Sequence, residues 1–157
     1  MDKAEWERLI AGKGCPFEPP RADSNEHWDL VAKLSVSSFY LAANQTYRGQ
    51  CLVILDLRHA VRPDQLTAPE WAAFCADLHR AERAVVGAVK PDHVNVAALG
   101  NVVPHLHWHI IPRTVGDPRW GAPIWPTSLD DIPDTRLAPR ERAELIERLR
   151  AELPQPG

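Results

Sequence analysis

The chain has 157 residues and a mass of 17.6 kDa, a length that suits one domain. Hydrophobic residues make up 45% and charged residues 25%, which excludes a disordered or fibrous chain. The net charge of −3 argues against a nucleic-acid binder, which needs clustered basic charge. The sequence has neither an apolar run of membrane-spanning length nor a signal-peptide core. Three cysteines without C-x-x-C spacing favour reduced thiols in the cytoplasm.

The N-terminal part predicts a short helix followed by three strands. Residues Asp2–Ala11 form an amphipathic pattern that the Gly- and Pro-rich stretch GKGCPFEPP ends. Period-two hydrophobicity then predicts strands over Trp28–Val36, Ser38–Ala43 and Gln50–Leu57. The short link Tyr47-Arg-Gly-Gln contains a Gly, so the second and third strands should form an antiparallel hairpin.

The second half predicts a long helix, two strands and a polar helix. The sequence Thr67-Ala-Pro-Glu70 is a capping box with an early Pro, and the helix should run from it to about Val89. Strands are predicted over His93–Leu99 and His105–Ile111, residues 114–136 look irregular, and a helix covers about 139–153. This order predicts an α+β fold in one domain over 1–157: a core of about 28–113, with a mainly antiparallel five-stranded sheet and the long helix on one face.

One strand carries the clearest chemical signal. His105, His107 and His109 recur at every second residue, so all three imidazoles should share one face of the strand. Neutral imidazole is a competent nucleophile and proton carrier near pH 7, and such a wall suits phosphoryl chemistry without a metal. Imidazole is also a common metal ligand. However, three nitrogens spread along one strand do not converge as a metal site requires, so we expect no metal there.

The motif His-Leu-His-Trp-His-Ile-Ile resembles the histidine triad superfamily of nucleotidyl hydrolases and transferases. The order of elements over about Trp28–Arg113 and the run Gly49 to His59 are also similar to that family's core. The stretch Gly-Asn-Val-Val-Pro-His-Leu-His-Trp-His-Ile-Ile-Pro-Arg looks most like the bacterial proteins described as diadenosine-polyphosphate-hydrolase-like. The resemblance therefore implies a histidine triad (HIT)-like fold and nucleotide chemistry.

The resemblance also implies residue roles. The middle histidine, His107, would be the nucleophile that becomes nucleotidylated, while His105 and His109 orient it and bind phosphate oxygens or the leaving group. Asn101 takes the place of the residue that contacts phosphate, and Asn44 the place of the residue that holds the ribose.

Two further residues are candidates for the nucleotide-binding site. Asn95 lies on the strand before the triad, and Gln50 stands where many members carry a fourth histidine. Gln donates hydrogen bonds but carries no proton. His59 is expected at the far end of that strand, where it cannot take the place of the fourth histidine.

The enzyme implied by the resemblance cleaves the α-phosphorus of adenosine–phosphate–X, through a nucleotidyl-histidine, and releases AMP. X is a dinucleoside polyphosphate tail, an amine or a sulfate. A purine nucleotide partner, a homodimer and no cofactor are expected. A non-catalytic AMP-binding module and a metal-binding protein remain as alternatives. The segment Arg119–Trp125 either stacks on a base or leaving group or covers the core.

Overall fold

A computed structural model describes residues 1–126, 131 and 133–153, so part of the predicted irregular segment 114–136 lies outside the described residues. Three α-helices and five strands form within these residues, together with a short 3-10 helix at Pro63–Gln65. In chain order they are α1 Lys3–Ile10, β1 Trp28–Lys33, β2 Ser37–Ala42, β3 Cys51–Leu55, α2 Ala68–Val89, β4 His93–Ala97, β5 His107–Arg113 and α3 Pro139–Glu152. The predicted α+β class is confirmed.

The five strands form one antiparallel sheet in the order β1-β2-β3-β5-β4. The predicted hairpin of β2 and β3 is present, with Phe39 opposite Val53. β5 enters between β3 and β4, pairing Leu52 with His109 and Ala97 with the same histidine. The triad strand therefore lies inside the sheet, and β1 and β4 form its edges.

The two faces of the sheet are covered differently. One face packs on α2 and α3 through a large core that includes Phe39, Val53, Phe74 and Leu149. The other face carries the triad histidines. An N-terminal segment packs there over β2 and β3 through Phe17.

The first strand is shorter than predicted because a side chain from α2 accepts hydrogen bonds from the backbone of the turn that follows it. Strand β1 ends at Lys33 rather than Val36. The buried carboxylate of Asp77 on α2 accepts hydrogen bonds from the backbone N–H groups of Ser35 and Val36, at 3.0 and 2.8 Å. These amides therefore belong to a turn and cannot extend the sheet ladder.

Gly49 fixes the start of β3. Its φ of +86° is a conformation that side-chain-bearing residues rarely adopt, and a Cβ there would overlap the Val89 side chain. Gln50 therefore enters the strand at a defined position. Among the described residues, no helix combines the length and apolar character needed to cross a membrane.

Candidate active site

A backbone carbonyl sets the protonation of His107. The Nδ1 atom of His107 lies 2.7 Å from the carbonyl oxygen of His105. A carbonyl only accepts hydrogen bonds, so Nδ1 carries the proton and neutral His107 keeps its lone pair on Nε2. The ring is buried and its edge packs against Phe17, with ring centroids 4.9 Å apart. His107 therefore presents an unprotonated nitrogen in a fixed direction.

His109 is the immediate partner of that nitrogen. The two Nε2 atoms of His107 and His109 are 3.1 Å apart, so the N–H of His109 donates to the lone pair of His107. The Nδ1 atom of His109 is buried without a hydrogen-bond partner among the described residues. Trp125 packs its ring against His109, with centroids 5.4 Å apart.

Both histidines open onto a pocket of about 400 Å³. Its walls are Phe17, Trp125 and the loop Leu99–Val103. Asn101 lies in that loop and its side chain is exposed, so its amide is free to meet a ligand. The described part of the chain contributes no Lys or Arg to this lining. An anion in this pocket would therefore depend on histidine and amide N–H donors.

Burial keeps the site histidines neutral. Burial, with a smaller contribution from the nearby His107, lowers the pKa of His109 to about 3. Burial also lowers the pKa of His107, against a smaller opposing effect of its hydrogen bond to the His105 carbonyl. Without a ligand both rings are therefore uncharged at neutral pH.

His105 turns its ring away from this pocket. Its Nε2 lies 2.8 Å from the Leu55 carbonyl, so Nε2 carries the proton and Nδ1 keeps a lone pair. That Nδ1 is 3.3 Å from Nδ1 of His59, 3.7 Å from Sγ of Cys15 and 3.6 Å from a Glu18 oxygen. The structure therefore brings His107 and His109 together at the pocket and places His105 in a separate cluster.

This cluster of Cys15, Glu18, His59 and His105 has the geometry of a cation site. Its four ligand atoms lie within 4.8 Å of one another. His59 donates through Nε2 to the Ile10 carbonyl at 3.0 Å, and its Nδ1 lies 3.1 Å from a Glu18 carboxylate oxygen, which only accepts hydrogen bonds. This contact requires a proton or a metal ion on Nδ1 of His59. Zinc ligands at 2.0–2.3 Å in a tetrahedron stand about 3.3–3.8 Å apart, close to the observed spacings.

Among the described residues, the other predicted nucleotide-binding residues make no hydrogen bond to a triad imidazole. Asn44, after β2, donates to the Pro133 carbonyl at 2.7 Å and accepts from the Thr46 N–H. Gln50 precedes β3, whose Leu52 is paired with His109. Asn95 accepts a hydrogen bond from Arg113 at 2.8 Å.

Sequence reasoning missed the residues contributed from outside the triad strand. The sequence placed His59 at the far end of the third strand but did not predict that the turn after β3 brings it against His105. Cys15, Glu18 and Phe17 belong to a Pro-rich segment with no periodic pattern. The only available signal was the occurrence of Cys15 and Glu18 at a three-residue spacing, and that spacing alone is weak.

Comparison with solved structures supports the fold. A histidine triad protein from Bradyrhizobium japonicum is 29% identical, with a TM-score of 0.73, covering 82% of this chain and 92% of that one. A histidine triad protein from Marinobacter aquaeolei is 22% identical, with a TM-score of 0.71 over 81% and 89% of the two chains. A Zn-bound histidine triad family protein from Mycobacterium smegmatis is 22% identical, with a TM-score of 0.55 over 95% and 91%.

The family model for the HIT domain matches residues 28–116, which span all five strands and the triad. No curated protein is significantly similar in sequence. The family generally comprises nucleotide hydrolases and transferases. Because the match covers more than half of the chain and includes His105, His107 and His109, this protein belongs to the histidine triad (HIT) family.

Proposed function

We propose that the protein hydrolyses adenosine–phosphate–X substrates at the α-phosphorus, through a nucleotidyl-histidine on His107, and releases AMP. The observation that carries the proposal is the hydrogen bond from His107 Nδ1 to the His105 carbonyl, 2.7 Å long. It leaves the lone pair on Nε2, which accepts the N–H of His109 at the edge of the pocket and attacks phosphorus when a bound phosphate displaces that hydrogen bond. This is the arrangement that an activated nucleophile requires.

The proposed reaction has two displacements. In the first, the lone pair of His107 Nε2 forms an N–P bond as the P–X bond breaks, and X leaves with the bonding pair. The bound phosphate favours the protonated form of His109, which gives its Nε2 proton to X. In the second, water attacks phosphorus, His109 takes a water proton, and the N–P bond breaks so that AMP leaves.

The nucleoside is proposed to lie on the β2–β3 side of the triad, towards Asn44 and Gln50, with Asn101 against the phosphate. Asn101 supports this proposal because it lines the pocket with an exposed side chain. Asn44 needs to exchange its bond to Pro133 for a ribose hydroxyl. His105 acts as a positioning residue, since its carbonyl holds His107 while its ring faces away. A role for Asn95 in the nucleotide pocket requires release of its bond to Arg113.

The test is capture of the covalent intermediate. Adenosine 5′-phosphoramidate is mixed with protein and quenched in alkali within milliseconds to seconds, and the peptide containing His107 is analysed by mass spectrometry. We expect an added adenylyl group that disappears as AMP forms. A phosphorothioate substrate of one configuration, hydrolysed in labelled water, should give retention at phosphorus, since two inversions cancel. Inversion would eliminate the intermediate. Tight AMP binding with no turnover of any amidate would favour the alternative of a non-catalytic AMP-binding module.

The finer family placement and the assembly belong to the same proposal. We place the chain in the bacterial diadenosine-polyphosphate-hydrolase-like branch from the residues around the triad. We also propose a cytoplasmic homodimer; reduced Cys51 and Cys75 fit that compartment. The exposed Val96 on edge strand β4 and Val86 on α2 offer apolar surface for pairing. Light scattering at micromolar concentration should give twice the chain mass.

The second candidate function is zinc binding by the Cys15, Glu18, His59 and His105 cluster. The convergence of four ligand atoms within 4.8 Å of one another favours it. The Cys, His and carboxylate donors fit Zn²⁺, and the Mycobacterium smegmatis relative is described as Zn-bound. The ion would tie the N-terminal segment to the turn after β3 and thereby hold the backbone that positions His107. The sequence led us to expect no metal at the three triad histidines. The zinc site proposed here uses one of them, His105, together with ligands from outside the triad.

Metal analysis shows whether a zinc ion or a shared proton links the side chains of this cluster. We expect about one zinc per chain by elemental analysis, loss of that zinc in His59→Ala, and retention in His79→Ala. His79 is exposed on α2, outside the cluster. Chelation should lower the melting temperature of the wild type and leave that of His59→Ala unchanged. If the purified protein contains no zinc and added zinc does not change its melting temperature, a shared proton occupies the site.

A further inference from the structure

A second cavity lies beside the pocket on the triad face and runs along β5. Its volume is about 770 Å³. Trp125 lines both spaces. Ile111, the next residue after His109 on the same face of β5, lines the second cavity. Same-face residues of a strand are about 7 Å apart. A group attached to phosphorus at His107 therefore reaches this cavity by passing Trp125.

Arg113, the only Arg or Lys among the described lining residues, has no donor left for a ligand. Nε and Nη2 of Arg113 donate to the Asp117 carboxylate at 2.6 and 2.8 Å. Its other three bonds go to the Asn95 side chain and to the carbonyls of Ala122 and Arg119, at 2.8, 3.0 and 2.6 Å. A guanidinium has five N–H donors, so all are used. Its charge is compensated by Asp117.

The described lining of this cavity also holds the carboxylate of Asp92, the imidazole of His93 and two indole rings. Asp92 lines it with an exposed carboxylate that accepts one hydrogen bond, from the Val115 N–H at 2.8 Å. Trp120, which is 46% exposed, offers a ring to the same space, as does Trp125. Such a lining disfavours a polyphosphate tail, and it favours an aromatic group without negative charge.

We propose that this cavity is the subsite for the leaving group X. It selects an amine that carries an aromatic ring and no negatively charged group. The inference rests on the proposed function, which puts the nucleoside on the β2–β3 side and leaves the β4 side for X. In this case the P–N bond breaks, the amine nitrogen keeps the bonding pair, and it takes a proton from His109. Water is the only co-reactant.

Three adenosine 5′-phosphoramidates test the proposal, with ammonia, phenethylamine and phenylalanine as the amines. The last two differ by one carboxylate. We expect kcat/KM for phenethylamine to exceed that for phenylalanine on the order of tenfold, as for two like charges about 10 Å apart at an effective dielectric near 20. Asp92→Asn keeps an acceptor for the Val115 amide but removes the negative charge. It should therefore bring the ratio of kcat/KM for phenethylamine to that for phenylalanine closer to one. Trp120→Ala should reduce the preference for phenethylamine over ammonia about threefold to tenfold.

Val115→Ala is the matched control. Its side chain is 66% exposed in the same loop and does not line the cavity, so both ratios should stay at wild-type values. No hydrolysis of the ammonia amidate would contradict the proposed function itself. Hydrolysis of that amidate with equal kcat/KM for phenethylamine and phenylalanine would overturn the leaving-group subsite alone. Faster cleavage of diadenosine tetraphosphate than of the phenethylamine amidate would also overturn it.

Discussion

Main-chain carbonyls orient three imidazoles of this site. His107 donates to the His105 carbonyl, His105 to the Leu55 carbonyl and His59 to the Ile10 carbonyl. Each bond fixes a ring nitrogen that carries a proton. The lone pair of His107 meets the N–H of His109 at the pocket, whereas Nδ1 of His105 meets Nδ1 of His59 beside the Glu18 carboxylate. Chemically identical side chains therefore take two roles because their carbonyl partners differ.

Removing the nucleophile should abolish turnover and preserve the fold. In His107→Ala we expect kcat to fall by roughly 10⁴-fold or more, since no other group replaces the attacking nitrogen. The far-UV circular dichroism spectrum should stay native, because this ring contacts the pocket and Phe17. In His107→Gly, free imidazole should restore part of the activity. A fall of less than tenfold in His107→Ala would contradict a nucleophilic role.

The neutral histidines should make stability depend on pH. The pKa of His109 is lowered by burial to about 3, while in the unfolded chain it is about 6.5. Below pH 6.5 the unfolded chain therefore binds a proton that the folded chain does not, and the free energy of unfolding falls as pH falls. The loss is about 1.4 kcal/mol per pH unit for this residue until pH approaches 3.

This dependence is measured by urea unfolding at pH 7 and pH 5. In His109→Gln the slope of the free energy of unfolding against pH should be smaller, because one buried imidazole is absent. An exposed substitution, His27→Gln, serves as the matched control; its side chain is 66% exposed. Identical slopes for wild type and His109→Gln would contradict a buried neutral imidazole.

At the scale of elements, periodicity predicted what local sequence determines. The order, the antiparallel pairing of β2 with β3 and the helix after Thr67 follow from alternation and capping. The end of β1 did not, because Asp77 reaches its turn from 41 residues away. The contact of His59 with Glu18 was not predicted for the same reason, since the two residues are 41 positions apart. Contacts distant in sequence leave no periodic signal.

Asp77 should be a strong determinant of stability. Its carboxylate accepts from the Ser35 and Val36 amides and from the Ser37 hydroxyl, at 3.0, 2.8 and 2.8 Å, and is fully buried. Asp77→Ala leaves these donors unsatisfied and should lower the free energy of unfolding by about 2–4 kcal/mol. Asp64→Ala, on the surface, should change it little. Equal urea midpoints for the two variants would contradict this account.

At the scale of the molecule, the two faces of the sheet differ in role. One face forms the core with α2 and α3, and the other carries the triad, the cluster around His59 and His105, and the second cavity. α3 also covers edge strand β1, since Arg150 donates to the carbonyls of Leu30 and Val31 at 3.0 and 2.9 Å. Protecting an edge in this way limits pairing with other chains. We infer from these contacts that α3 belongs to the same domain as the sheet.

Leu149 tests whether α3 and the sheet unfold together. Its side chain is fully buried in the core shared with Phe74. Leu149→Ala should therefore lower the free energy of unfolding by about 2–5 kcal/mol, whereas Arg148→Ala, exposed on the same helix, should change it little. In one domain, tryptophan fluorescence and far-UV circular dichroism should shift to the same lower urea midpoint. A separate early transition seen only by circular dichroism would show α3 leaving a sheet that stays folded.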